Sequence, residues 1–169
     1  MNEVISAILN RKCVRAYTGE PVTQQQLETI LQCGLRAPSA KNGQPWHFSV
    51  LKSRALMDEI CAAMPGGGAG GDCWRGGVAA ILISGQEDSI WSAGDCANAA
   101  ENMFLAANAL GLGCCYLACI RAALEGNDAL CRRAGVPEGY RPLYALTLGH
   151  AAEDPEPKPR REDCITWID

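Results

Sequence analysis

The sequence predicts one domain that mixes α-helices with β-strands, and three observations carry that reading. Helical periodicity with capping residues recurs along the chain, strand-length apolar runs lie between those segments, and 169 residues suffice for one buried core but not for two ordinary ones. A hydrophobic fraction of 48% against 20% charged residues is not the composition of a disordered chain. Aromatics make up only 6%, so aliphatic residues, alanine and cysteine must fill the interior. We find no internal repeat and no second-domain linker, and residues 1–169 read as one unit.

The elements follow in order. Val4, Ile5, Ile8 and Leu9 share one helical stripe, which stops at the basic loop Arg11-Lys12-Cys13-Val14-Arg15. Thr23 and Gln26 form a capping-box signature, and Leu27, Ile30 and Leu31 carry that second helix to Gly34. Pro38, Gly43 and Pro45 break periodicity in a polar loop before the strand Trp46–Leu51. Ser53 caps a helix through Cys61, and Pro65–Asp72 is a glycine-rich surface loop with few side chains to hold it. Val78–Ser84 is apolar enough for a central strand covered on both faces. Asp95–Leu110 is an alanine-rich helix stopped by Gly111, suited to close packing or to a subunit interface, with Asn98, Asn102 and Asn108 in need of partners. A strand over Cys114–Ala118, a helix over Ala122–Arg133, a strand over Leu143–Leu148 and a short final strand over Cys164–Ile168 complete the reading.

A net charge of −4 offers no general attraction to nucleic acid or to an anionic membrane, so any anion site must be local. Ten cysteines would make a disulfide framework in a small secreted protein. No signal-peptide pattern opens the chain, however, and no apolar run approaches the roughly 20 residues that span a bilayer. A reducing, cytoplasmic location is the expectation, with the cysteines of the alanine- and leucine-rich stretches buried as small apolar side chains. No cysteine pair has C-x-x-C spacing, and the neighbours Cys114 and Cys115 must point to opposite faces of a strand, so no metal site is expected.

Common catalytic signatures are missing. Neither His47 nor His150 lies in a metal-binding spacing, no serine occupies a G-x-S-x-G elbow, and the glycine run lacks the lysine and hydroxyl of a phosphate loop. Gly111-Leu112-Gly113 follows a helix and has no third glycine, which excludes a dinucleotide fingerprint. Two cation clusters remain, Arg11/Lys12/Arg15 and Lys158/Arg160, both able to hold one anion. Asn42 and Gln44 present donors and acceptors suited to the edge of a heterocycle.

Taken together and in this order, the segments resemble the FMN-dependent nitroreductase family over nearly the whole chain. Arg11-Lys12-Cys13-Val14-Arg15-Ala16-Tyr17, then Ala37-Pro38-Ser39-Ala40-Lys41-Asn42-Gly43-Gln44-Pro45-Trp46, then Asp95–Tyr116, and finally Gly149-His150 with Pro157-Lys158-Pro159-Arg160 carry the likeness. The resemblance implies an α+β fold with a mainly antiparallel central sheet flanked by helices, and a homodimer with FMN at its interface. By the same resemblance Arg11, Lys12, Arg15, Lys158 and Arg160 bind the flavin phosphate, ribityl chain or pyrimidine edge, with Cys13 contributing backbone and a weak thiol. Ser39, Asn42 and Gln44 contact the isoalloxazine or ribityl groups, partly from the partner, and Pro38 and Ala40 pack beside the ring. A backbone N–H at Leu117, Ala118 or Cys119 faces flavin N5. Trp46 and His47 flank the substrate, although Trp46 also reads as core.

The implied activity is ping-pong hydride transfer from NADH or NADPH through flavin to an electron-poor small molecule such as a nitroaromatic or quinone, with no catalytic protein residue. Two features depart from the family pattern. Cys13 stands where serine is usual, and the glycine-rich segment is short where relatives carry longer covering elements. The alternatives are a same-fold dehalogenase or dehydrogenase, a non-catalytic flavin-binding redox sensor using Cys114, Cys115 or Cys119, and a cysteine metal-binding module.

Overall fold

Apolar runs become strands and their alternation sets two cores. The computed structural model describes residues 2–66, 71–156 and 158–168. In it β1 (Trp46–Leu51), β2 (Ala79–Gln86), β3 (Gly113–Leu117) and β4 (Tyr140–Gly149) form an antiparallel sheet in the order β1-β2-β4-β3. β2 is buried from Ala79 to Gly85, as its continuous apolar run requires of a strand covered on both faces. Ile81, Ile83, Leu146 and Leu148 face one helical layer, while Ala80, Leu82 and Ala145 face the other. Cys114 and Cys115 divide between the two cores in the predicted way.

The first layer is α2 (Gln24–Leu35) and α4 (Ser92–Ala109). Both halves of the Thr23/Gln26 capping box form. α4 sits close to everything around it because its inward positions are small: Ala99, Ala100, Ala107 and Cys96 are fully buried. A Cβ on Gly34 of α2 would lie 2.7 Å from Met103 Cγ, and Asn102 Nδ2 donates to Cys33 O at 3.2 Å across the same seam. Gly111, at φ 75°, ends the helix in the left-handed region. The second layer is α3 (Arg54–Ala62), capped by Ser53, with α5 (Arg121–Leu124) and α6 (Asp128–Arg133). Trp74, wholly buried, pins this layer by donating its indole N–H to Met57 O at 2.7 Å.

Two expectations need correction. The helix predicted over Ala122–Arg133 is two short helices, because Gly126 turns left-handed at φ 78° and the Asn127 side chain caps α6 by accepting from Leu130 N–H. Cys164–Ile168 is not a strand: no strand lies beside it to complete a ladder, and Trp167 is 88% exposed. α1 (Glu3–Asn10) forms where its periodicity places it, with Asn2 as cap, yet buries no residue, so Val4, Ile5, Ile8 and Leu9 stay exposed. Within the Pro65–Asp72 segment, residues 67–70 lie outside the described residues. Among the described residues no helix is long and apolar enough to cross a membrane.

α4 approaches the sheet closely at Gly85 of β2, where a Cβ would lie 2.9 Å from Ser92 Cβ and 2.7 Å from Leu143 Cδ1 of β4. Leu143 can rotate away, but Ser92 Cβ moves only with the start of α4. Gly85→Ala is expected to cost about 1–3 kcal/mol, the usual range for overpacking a filled core, measured as a lower urea midpoint at unchanged m-value.

Candidate functional site

The polar loop between α2 and β1 is strained. Lys41, Asn42 and Gln44 have φ of 54°, 55° and 47°, a run of left-handed non-glycine residues of the kind that persists only where the surroundings impose it. Asp95, 7% exposed in the first turn of α4, supplies the main restraint: both of its carboxylate oxygens accept from Ala40 N–H, at 3.1 and 3.2 Å. Ser39 Oγ accepts from Gln44 N–H at 3.1 Å, Asn42 N–H donates to Ser39 O at 3.0 Å, and Asn98 Nδ2 reaches Pro38 O at 3.5 Å. The Ser39, Asn42 and Gln44 side chains are thereby carried on a turn fixed to a buried helix. Sequence reasoning missed Asp95. A lone acid near the start of an alanine-rich helix was its only signal.

Residues 11–15 lie along β3, an edge strand. Val14 N–H donates to Cys114 O at 2.9 Å, Thr18 N–H donates to His150 O at 2.9 Å, and the Tyr17 ring covers Gly149, whose Cβ would meet it at 2.8 Å. Val14 is buried while Arg11, Lys12 and Cys13 are half-buried and Arg15 exposed. Arg11 lies over the Phe104 ring at 4.7 Å and pairs with Glu101 at 3.5 Å. Burial pushes the Glu101 carboxyl above its ordinary range, and Arg11 opposes that rise. Lys12 pairs with Asp154, and Glu153 accepts from Arg15 N–H, so the segment after β4 returns to the same place. Lys158 and Arg160 follow as exposed side chains.

Cys13 joins this segment to the end of β3. Its thiol is lowered to about 5, first by a hydrogen bond from Cys115, against the upward push of burial, then by Tyr116 N–H, Arg15 and Arg11. The Cys115 thiol is raised in return, by Cys13 and then by burial. Beyond Tyr116, Leu117 is buried, whereas Ala118 and Cys119 are exposed and neither N–H donates to a backbone partner among the described residues. Arg11, Cys13, Arg15 and the end of β3 therefore form one polar, cationic patch.

The two halves of the predicted site do not meet within the chain. The loop Pro38–Gln44 leads into β1 at one edge of the sheet and residues 11–15 line β3 at the other, and these two edge strands are three strand spacings or roughly 14 Å apart. Trp46 and His47, neighbours on β1, point to opposite faces. Trp46 is 8% exposed in the α2/α4 core and stacks on Phe48, which places it in the interior, while exposed His47 meets the Tyr140 edge on the other face. A cavity of about 390 Å³ is lined by Arg11, Lys12, Gly113 and Glu153 among others. A larger one, about 730 Å³, lies between α6 and the start of β4 and takes in none of the predicted site residues.

Comparisons with known proteins agree on one family. A family model described as "Nitroreductase family" matches residues 8–67 and 68–150. A nitroreductase with bound FMN from Bacteroides fragilis superposes with a TM-score of 0.91 at 26% identity, each chain covered in full. One from Desulfitobacterium hafniense, also with bound FMN, gives 0.91 at 25% identity over the same coverage. An FMN reductase [NAD(P)H] of Bacillus subtilis is 28% identical over 184 residues, covering 95% of this chain and 70% of its own.

Because the Asp95 carboxylate holds the strained turn, Asp95→Ala leaves Ala40 N–H without its acceptor. The expected loss is about 1–3 kcal/mol in chemical denaturation, with hydrogen exchange accelerating first at the amides of Ala40–Gln44.

Proposed function

Since this chain belongs to the nitroreductase family, we propose that it is an FMN-dependent oxidoreductase that passes hydride from NAD(P)H to an electron-poor small molecule. The observation that carries this reading is the basic run Arg11/Lys12/Arg15 held along β3 by the Val14 N–H to Cys114 O bond, on the strand that leads to the unpaired backbone N–H groups of Ala118 and Cys119.

The residues present fit the cofactor. Guanidinium groups suit its phosphate, free N–H groups suit acceptor atoms at its ring edge, and the Asn42 and Gln44 amides suit a heterocycle with both donors and acceptors. When bound, FMN would supply the hydride chemistry between the nicotinamide and the acceptor molecule. The protein's part is positioning and charge. Arg11, Arg15, Lys158 and Arg160 hold the phosphate and stabilise negative charge. Lys12 joins them by exchanging its exposed pair with Asp154, a contact worth little in water. Cys13 contributes a thiolate or thiol in place of a hydroxyl, its thiol lowered by Cys115 and then by Tyr116 N–H. Ser39 keeps the loop turned, Pro38 and Ala40 pack beside the ring, and the N–H groups after Leu117 orient its reactive edge.

We place the complete site in a homodimer, one chain supplying the β3 patch and its partner the Pro38–Gln44 loop. Support comes from the separation of the two halves and from uncovered apolar side chains on α1 and at Ile90, Trp91, Ile165, Trp167 and Ile168, more than a monomer ordinarily leaves in water. Ten free cysteines fit a reducing cytoplasmic setting, and one flavin domain spans residues 1–169.

Purified protein is expected to be yellow, with an oxidised-flavin spectrum that bleaches on anaerobic mixing with NADH or NADPH. A colourless preparation that takes up no added FMN contradicts the proposal. Arg160→Ala and Asn42→Ala should each reduce flavin retained after dialysis. Refolding the two variants together should restore one intact site per mixed dimer, and no recovery over either parent contradicts the shared site.

A further inference from the structure

Metal-ligand spacing along the sequence raised no candidate, yet the fold gathers three donors from the end of α3 and the turn after the glycine-rich segment. The Cys61 and Cys73 thiols and a carboxylate oxygen of Asp72 lie within 4.8 Å of one another. We propose that Cys61, Asp72 and Cys73 form a binding site for a thiophilic divalent cation of the zinc class. None of the three belongs to the flavin site proposed above.

The distances are close to what such an ion needs. Zinc–sulfur bonds of about 2.3 Å in a tetrahedron put ligand atoms roughly 3.8 Å apart, so the donor-to-donor separations shorten by at most about 1 Å. Both arms are anchored: Cys61 is buried at the last turn of α3, and Cys73 precedes the fully buried Trp74. The surroundings orient the donors in the manner of outer-shell partners. Cys73 N–H donates to Cys61 Sγ at 3.0 Å, a contact that favours sulfur carrying negative charge. Asp72 Oδ1 accepts from Trp74 N–H at 2.9 Å and from Arg54 at 3.1 Å, and Oδ2 accepts from Gly76 N–H at 2.7 Å. Three of its roughly four acceptor positions are filled, leaving one on Oδ2 for a cation.

Arg54 sits between Asp72 and Asp58. A divalent ion with two thiolates and a carboxylate carries one net negative charge, which the Arg54 guanidinium, shared with Asp58, faces without entering the coordination sphere. Burial pushes the Asp72 carboxyl up, but Arg54 and the two N–H groups outweigh it and hold the group below its ordinary range. Burial, and then Cys61, push the Cys73 thiol above its ordinary range. Binding forms two metal–sulfur bonds and releases both thiol protons to solvent, with no change of oxidation state. Three protein ligands leave a fourth position for water or an external thiol. The ion closes a clasp across the two ends of the glycine-rich segment.

The test is cobalt titration of the flavin-loaded, reduced, metal-stripped chain, read at wavelengths beyond flavin absorption. The expected result is one equivalent of cobalt with tetrahedral thiolate ligand-field bands, displaced by zinc. Cys61→Ser and Cys73→Ser should each weaken binding by at least the roughly 10–100-fold that losing an outer-shell partner costs. Cys33→Ser, on α2 in the other helical layer, should leave it intact. Absence of those bands in the wild-type chain, or bands indifferent to Cys73→Ser, overturns the proposal. Should either serine variant fail to fold, X-ray absorption of the zinc-loaded wild-type chain decides: two sulfur neighbours support the site, and a shell without sulfur overturns it.

Discussion

Close packing of α4 is the constraint on which the other parts depend. Alanine and cysteine on its inner faces, with Gly34 on α2 and Gly85 on β2 opposite, let it approach two layers at once. Any larger side chain at these contacts would push the helix outward. The position of α4 in turn sets three polar relations: Asp95 with the strained loop, Asn102 with the end of α2, and Glu101 and Phe104 with Arg11. A helix of unremarkable polarity thus fixes one end of each half of the proposed site.

Much of the architecture was legible because its signals are local. Capping residues marked α2 and α3, and alternation set Cys114 and Cys115 on opposite faces of their strand, which the fold turns into different cores. Failures arose where the outcome depended on partners rather than on the segment. Cys164–Ile168 has strand-forming residues but no adjacent ladder, and α1 has a well-formed stripe with no core of its own to face. The break at Gly126-Asn127 was visible in the residues, yet helical character on either side masked it.

The site was legible as a set of residue types and not as a place. Arg11, Cys13 and Arg15 drew attention as a basic run, but their contact with the end of β3 follows from edge pairing, which no spacing encodes. Asp95 was invisible because its role is exerted fifty-five positions away, on Ala40 N–H. Trp46 shows the reverse problem: period-two alternation separates it from His47, so neighbours in sequence occupy different faces. The cysteines, read first as bulk apolar filler, divide into several chemical environments, from the lowered Cys13 to the raised Cys73.

Opposite placement of the two half-sites has a thermodynamic corollary. In the proposed homodimer a ligand that touches both the β3 patch and the Pro38–Gln44 loop bridges two chains, so its binding energy is also association energy. Flavin occupancy then depends on protein concentration, and subunit affinity depends on flavin. Dilution becomes a route to cofactor release, and abundant cofactor a route to assembly. Under this linkage the cell's supply of flavin governs how much of the chain exists as the two-chain form.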